Sequence, residues 1–352
     1  MAGFYELAER ALELERMGKE IIRLNVGDTN LPPPPEAVVA AQKSLAGERQ
    51  GYCSSSGLME FREKIAEREG CSPAEVVVGP GSKHLIFALM SILGKRGRVV
   101  LPSPAWPAYG LQCAQLGLKA EFIPAKMESS WDFGRLDMGG ARLAIICNPL
   151  NPTGTVYPEK RVREALDDAA RSGTDIVLDE AYKDLAFSPI PRYEGAIRVR
   201  SFSKEFNMEG FRLGYAVVPK DVAKKLSEFN QITATCVAPM VQRAGIACLD
   251  NELAIIARNL AAWKGRMAAA SGALRENGFR FAEPGAGIYF FATHDFIRDS
   301  GEFAMRLLDR GVAVAPGGEF GGYKKFVRVC ANREPGILRK AVATMGATAK
   351  EG

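Results

Sequence analysis

Two segments of this chain place reactive side chains directly after runs of β-favouring residues. Ser201-Phe202-Ser203-Lys204 follows the run Ile197 to Val199, and Gly210-Phe211-Arg212-Leu213-Gly214 lies just beyond it. A lysine at the end of a buried strand loses hydration, so its amine titrates low and can act as a nucleophile toward an aldehyde. The serines and Arg212 supply donors for a phosphate, which a guanidinium holds through two parallel hydrogen bonds. Taken alone, the Ser-x-Ser-Lys pattern reads more simply as a surface lysine beside a turn. In the second segment, Asp179-Glu180-Ala181-Tyr182 ends the apolar run Ile176-Val177-Leu178. In open α/β sheets the ligand crevice lies beyond the carboxyl ends of the strands. An aspartate there can keep a pyridine nitrogen protonated, so that the ring draws electrons from a carbanion. Tyr182 can hydrogen-bond another ring substituent. The plainer alternative for Asp179 is a helix N-cap.

Asn148-Pro149-Leu150-Asn151-Pro152-Thr153-Gly154 follows the apolar run Leu143 to Ile146 and is the most specific motif in the chain. Two prolines restrict the backbone and a glycine permits an unusual turn, so an asparagine side chain is held rigidly at a strand end. Gly79-Pro80-Gly81-Ser82-Lys83 separates the run Val76 to Val78 from a helix beginning near His84. Backbone N–H groups at such a helix start can receive a phosphate. Trp106, in Pro102-Ser103-Pro104-Ala105-Trp106-Pro107, lies just past the next apolar run, where an indole face can cover a flat ring or simply pack.

The elements that must position these residues follow from periodicity. Apolar residues from Phe4 to Met17 recur at helical spacing, Gly18 closes that helix, and Ile21 to Val26 reads as a short strand before the proline-rich loop Leu31 to Pro35. Helices are expected over about Pro35 to Leu45 and Leu58 to Glu69. Short strands then alternate with helical patterns: Val76 to Val78, Val99 to Leu101, Phe122-Ile123, Leu143 to Ile146, Asp175 to Leu178, Ile197 to Val199 and Leu213 to Val218. Such alternation implies an α/β fold with a mainly parallel sheet covered on both faces. Pro219 to Asn277 is mostly helical, with one long helix from Asn251 to Asn277. Strands at Gly287 to Ala292, Val312 to Ala315 and Phe326 to Cys330, with helices near Phe303 to Arg310 and Gly336 to Met345, suggest a smaller α+β unit.

A chain of 352 residues exceeds one ordinary core, which holds about 100–200 residues, so two domains are expected. Residues 1–30 and 251–352 are assigned to the small domain and 31–250 to the large one. The 46 Lys plus Arg against 41 Asp plus Glu give a net charge of +5, scattered rather than blocked, which does not suggest nucleic acid. The N-terminus carries charges throughout an amphipathic pattern, and no run of about 18 apolar residues is present to span a membrane. The 7 cysteines are widely spaced and never form C-x-x-C, as in a reducing compartment such as the cytoplasm. With 2 histidines far apart and without Cys or acidic neighbours at ligand spacing, no metal site and no histidine-based triad is expected.

Together these motifs resemble the fold-type I pyridoxal 5′-phosphate (PLP) enzymes, specifically the class I/II aminotransferases of the aspartate aminotransferase kind. The similarity runs from Ala11-Leu12-Glu13-Leu14 to Arg328 with motif order and approximate spacing kept. It implies a seven-stranded, mainly parallel sheet with helices on both faces. It also implies that Lys204 carries the cofactor as a Schiff base and afterwards moves the proton between the substrate Cα and the cofactor C4′. Asp179 then pairs with the pyridine nitrogen, and Asn151 and Tyr182 hold the ring hydroxyl oxygen. Gly81, Ser82 and Lys83 form the phosphate turn, completed by Ser201 and Arg212, and Trp106 matches the ring-stacking aromatic. Tyr52 matches a tyrosine that reaches the phosphate of a neighbouring subunit, so a homodimer with shared sites is implied. Arg328 and Gly27 match the arginine fork and the backbone that meet the substrate carboxylate.

The implied activity is ping-pong transfer of an amino group between an L-amino acid and a 2-oxo acid. Lys83 occupies a position where some relatives meet a distal carboxylate, which would favour aspartate and glutamate. The compact segment Pro316-Gly317-Gly318-Glu319-Phe320-Gly321-Gly322-Tyr323 departs from the family pattern at the outer substrate pocket. Alternatives on the same scaffold are a histidinol-phosphate aminotransferase, a β-lyase or a decarboxylase, because fold and cofactor do not fix which bond breaks. A non-enzyme alternative is the ligand-sensing module of a transcription regulator.

Overall fold

The computed structural model describes residues 4–47 and 50–351. The N-terminal stretch forms helix α1 (Phe4–Arg16), whose Leu7, Ala11 and Leu14 are buried at helical spacing against the C-terminal part of the chain. Gly18 follows it with a φ of 84°, a conformation open mainly to glycine. The strand expected over Ile21 to Val26 is only β1 (Ile22–Arg23), paired in parallel with Val312 and Ala313. Beyond it the backbone acceptors are taken elsewhere: Cys330 donates to the Leu24 carbonyl, and Arg328 to that of Asn25.

Helices α2 (Pro35–Gly47) and α3 (Met59–Glu69) come next. The alternating region is β2 (Val76–Gly79), α4 (Ser82–Leu93), β3 (Arg98–Ser103), α5 (Pro107–Gln115), β4 (Lys119–Pro124), β5 (Ala141–Cys147), α6 (Glu159–Ser172), β6 (Asp175–Asp179), β7 (Ile197–Ser201), α7 (Phe202–Glu205) and β8 (Gly214–Val217). Its strands form one seven-stranded sheet in the order β2-β8-β7-β6-β5-β3-β4. β8 is antiparallel to both neighbours and the other adjacent pairs are parallel.

β5 and β6 read as almost continuous apolar runs because both faces of the sheet are covered. β2 displays the two faces. Val77 packs with Leu85, Val100 and Ile145, whereas Val76 and Val78 pack with Phe61, Phe202 and Tyr215. Two successive antiparallel pairings return β2 to the direction of β7, so the carboxyl ends of β2, β3, β5, β6 and β7 open on one edge.

Helices α8 (Lys220–Thr233), α9 (Pro239–Asp250) and α10 (Glu252–Glu276) fill the helical stretch, and α10 is the long helix expected there. The chain ends in β9 (Tyr289–Thr293), α11 (Ser300–Asp309), β10 (Val312–Ala313), β11 (Ala315–Pro316), β12 (Phe326–Cys330) and α12 (Pro335–Lys350). Strands β11, β12 and β9 form an antiparallel sheet in that order. The single strand expected from Val312 to Ala315 is two, because β10 pairs with β1 while β11 turns to β12. Side chains of α1, α10, α11, α12 and this sheet share one apolar cluster that includes Trp263, Phe303 and Met345. Among the described residues no helix is long and apolar enough to cross a membrane. All seven cysteines are free.

Candidate active site

Gly79, Gly214 and Ser201 pair in register across β2, β8 and β7, which brings together segments distant in sequence. A Cβ on Gly214 would lie 2.7 Å from the Arg200 carbonyl oxygen and 2.9 Å from the Ser82 amide nitrogen, so glycine is required for this approach. Gly81 precedes α4 with a φ of 85°, and a Cβ there would meet the Arg212 guanidinium at 2.6 Å. Ser82, Ser201, Ser203 and Arg212 consequently line one end of a cleft at the amino terminus of α4. Helix N–H groups and the dipole favour an anion at such a place. Arg212 is itself left-handed, at a φ of 54°, and donates from Nη1 to the Glu209 carbonyl over 2.8 Å. That backbone state costs a non-glycine residue on the order of 1 kcal/mol.

Lys204 lies in α7, one turn beyond β7, and lines the same cleft. It is not a surface lysine. Arg200 in β7 anchors this turn, donating from Nη2 to Glu205 over 2.9 Å and to Asp184. Burial lowers the Lys204 amine below its ordinary range, an effect that Glu209 and Asp28 oppose. A larger share of the amine is then neutral and nucleophilic near pH 7.

Asp179 ends β6, beside β7, and is 4% exposed. Tyr109 donates its hydroxyl to Oδ2 over 2.5 Å, and the Ala181 N–H reaches Oδ1 over 3.1 Å. Burial pushes the Asp179 carboxyl up to about 6, against the lowering by those two bonds. The N-cap alternative fails, since the next helical turn, Lys183–Leu185, starts from Tyr182.

A second group of side chains joins the two sheets. The Asn151 amide Nδ2 reaches the Tyr182 hydroxyl at 3.5 Å, and Asn151 Oδ1 accepts from Arg328 Nη1 at 3.0 Å. Tyr182 and Tyr289 share a hydroxyl–hydroxyl bond of 3.0 Å. Arg328 Nη2 donates to the Asn25 carbonyl at 2.7 Å, and its guanidinium carbon lies 4.4 Å from the Tyr289 ring centroid and 5.1 Å from that of Phe320. Arg328 is therefore buried on the central strand of its sheet rather than exposed on an edge. Its Nε and both side-chain polar atoms of Asn25 are buried without a hydrogen-bond partner among the described residues. Buried donors left open in this way fit an acceptor carboxylate. Gly27 borders the group: a Cβ there would fall 2.0 Å from the Tyr289 hydroxyl.

Trp106 forms another wall, with Lys83 Nζ 4.9 Å from its ring centroid. Lys83 lines the cleft while remaining exposed, and partial burial together with Arg212 lowers its amine. The Pro316 to Tyr323 segment is pinned over this wall. Ala105 N–H donates to the Phe320 carbonyl at 2.9 Å, and the Tyr323 hydroxyl meets the carbonyls of Ser103 at 2.8 Å and Ala125 at 2.9 Å. Tyr52, by contrast, is 91% exposed and does not line the cleft of its own chain.

Sequence reasoning did not single out Tyr109, Tyr289, Asn25 or Glu209. Tyr109 had a signal, for it follows Trp106 by one helical turn at the start of α5. Tyr289 had none, because its partners Tyr182 and Arg328 meet it only through packing of the two sheets.

The residues fit a phosphorylated pyridine aldehyde. The serines, Arg212 and the start of α4 suit its phosphate, the buried Asp179 carboxyl its ring nitrogen, Asn151 and Tyr182 its ring oxygen, and the Lys204 amine its carbonyl. Residues 19–345 match the family model described as aminotransferase class I and II. The aspartate aminotransferase of Thermococcus kodakarensis is 39% identical over 311 residues, covering 87% of this chain and 83% of its own. A probable aspartate/prephenate aminotransferase of Thermus aquaticus is 30% identical over 336 residues, covering 89% and 88%. The solved structure of Thermus thermophilus aspartate aminotransferase with maleate superposes with a TM-score of 0.91 at 26% identity, covering 99% of this chain and 97% of that one.

Proposed function

The chain belongs to the class I and II aminotransferases, PLP-dependent enzymes that move an amino group between an amino acid and a 2-oxo acid, and we propose that aspartate, glutamate and their oxo acids are its substrates. The observation that carries the substrate class is Lys83, a cation that lines the cleft beside Trp106 and stays open to an incoming carboxylate. A second carboxylate on the substrate would meet it while the α-carboxylate occupies Arg328. The names of the relatives, and maleate in one of them, support the same class.

When bound, the cofactor supplies an electrophilic carbonyl and an electron-withdrawing ring. The chain does the rest. Lys204 would hold the cofactor through its amine and, when that amine is free, would move the proton between the substrate Cα and C4′. Asp179 holds the proton on the ring nitrogen, and Asn151 with Tyr182 fixes the ring oxygen. Gly81, Ser82, Ser201 and Arg212 anchor the phosphate, and Trp106 covers the ring face. Arg328 would grip the α-carboxylate as a two-pronged fork beside the Gly27 backbone. The two half-reactions share this one site in turn, so kinetics are ping-pong.

We assign residues 31–250 to a large cofactor-binding domain and 1–30 with 251–352 to a small one, supported by the apolar cluster that α1 shares with the C-terminal elements. The exposed Tyr52 supports a homodimer in which each protomer completes its partner's phosphate site. Widely spaced free cysteines support a cytoplasmic location. The deciding experiment is an amino-donor screen with kcat/KM measured for aspartate, glutamate, phenylalanine and alanine against a common oxo acid. The acidic donors should lead, and a neutral donor leading would overturn the substrate assignment.

A further inference from the structure

Glu209 opens the three-residue turn Glu209–Phe211 between Lys204 and Arg212. Its Oε1 lies 3.6 Å from Lys204 Nζ, with both side chains mostly withdrawn from solvent at 24% and 17% exposure. The same oxygen accepts the Thr29 backbone N–H over 2.6 Å. Thr29 is fully buried, and its carbonyl is held by Arg266 at 3.0 Å. At the other end of this short segment the Asn25 carbonyl accepts from Arg328. The stretch from Asn25 to Thr29, which includes Gly27, is therefore fastened to Arg328 at one end and to Glu209 at the other.

We propose that Glu209 is a positioning residue whose single carboxylate oxygen ties the Lys204 amine to the backbone of Thr29, so that the charge on the lysine and the placement of the Asn25 to Thr29 segment are coupled. The proposal rests on the reading of Lys204 as the cofactor-bearing lysine and of this segment as a wall of the carboxylate site. A charge-assisted N–H···O⁻ bond is stronger than a neutral one. A cationic lysine nitrogen draws on the same oxygen, and a neutral one leaves it wholly to Thr29. The other charged or titratable groups facing Lys204 are Asp28, Cys330 on β12, and across the cleft Arg212, Asp179 and Tyr182. The Cys330 thiol also meets the segment, donating to the Asp28 carbonyl over 3.9 Å, whereas Glu209 is the carboxylate that accepts one of its backbone N–H groups.

Two substitutions separate charge from tether. Glu209→Gln keeps an oxygen for the Thr29 N–H and loses the charge, whereas Glu209→Ala loses both. In holoenzyme, the absorbance of the lysine-bound cofactor is titrated with pH. Removing a nearby anion disfavours the protonated nitrogen, so the midpoint should fall by roughly one unit in both variants. KM for the amino donor should stay near wild type in Glu209→Gln and rise about tenfold in Glu209→Ala. Hydrogen exchange at the Thr29 amide of cofactor-free protein, read without any turnover, should quicken in Glu209→Ala only. Unchanged midpoints in both variants would overturn the action on Lys204. Equal KM and equal Thr29 exchange in both would overturn the tie to the segment. Borohydride reduction followed by peptide mapping keeps the two levels apart: cofactor on a lysine other than Lys204 defeats the site reading itself, whereas cofactor on Lys204 with unmoved midpoints defeats the Glu209 proposal alone.

Discussion

The Tyr109 hydroxyl donates to Asp179 Oδ2 over 2.5 Å, inside a site that both residues line. A neutral phenol only partly offsets the burial of a carboxylate, and so the Asp179 carboxyl remains raised to about 6. A cationic ring nitrogen opposite it would restore the charged form.

Asp179→Asn should therefore act with opposite signs in the empty and loaded protein. The unfolded carboxyl titrates near ~3.9 and the folded one near 6, so the folded state binds the extra proton between those values. Burying the charge destabilises the fold fully above about 6, and that penalty vanishes below ~4. Cofactor-free Asp179→Asn should accordingly melt higher than wild type at pH 8, by on the order of 2–3 kcal/mol, with the advantage shrinking toward pH 4. Loaded, the variant should turn over far more slowly, because an amide cannot hold a ring nitrogen protonated. A stability difference that ignores pH would show that this carboxyl does not ionise in the window.

Lys204→Ala should yield a protein that binds cofactor without a borohydride-reducible link to the chain and lacks turnover. Retention of the yellow lysine-bound chromophore would move the assignment to another lysine.

Arg328→Lys replaces a planar fork, stacked against Tyr289 and bonded to Asn151 and Asn25, by a point charge. The change is not conservative at such a site. KM for every amino acid should rise while cofactor affinity holds. Unaltered KM values across the donor series would remove Arg328 from the carboxylate site.

Lys83→Ala should lower kcat/KM for aspartate and glutamate by roughly 1.5–3 kcal/mol, the value of one charge-assisted contact, and affect phenylalanine and alanine little. Because Lys83 also neighbours Arg212, an equal loss across all four donors would assign it to the cofactor phosphate instead.

Tyr52 is nearly bare in the single chain and absent from its own cleft. Sedimentation should give a dimer, and Tyr52→Phe should weaken cofactor retention without changing the dimer. A monomer with full activity would contradict the shared site.

The sequence by itself determined the strand–helix alternation, the residues at the strand ends and the cofactor chemistry. Apolar runs ending in Asp179, Asn151 and Ser201-x-Ser203-Lys204 are local patterns, and in a parallel sheet each such end opens on the same edge. The cradle around Arg212 was half legible: glycines at 79, 81 and 214 are visible in the sequence, but which atoms they admit is set by the register of β2, β8 and β7. Only the tertiary structure decided that β1 stops at Arg23, that Val312 to Ala315 divides between two sheets, and that Tyr109, Tyr289, Asn25 and Glu209 enter the site. Each of those outcomes depends on a hydrogen-bond or ring partner far along the chain. Periodicity reports which face of its own element a residue occupies, and carries no information on what another element brings to that face.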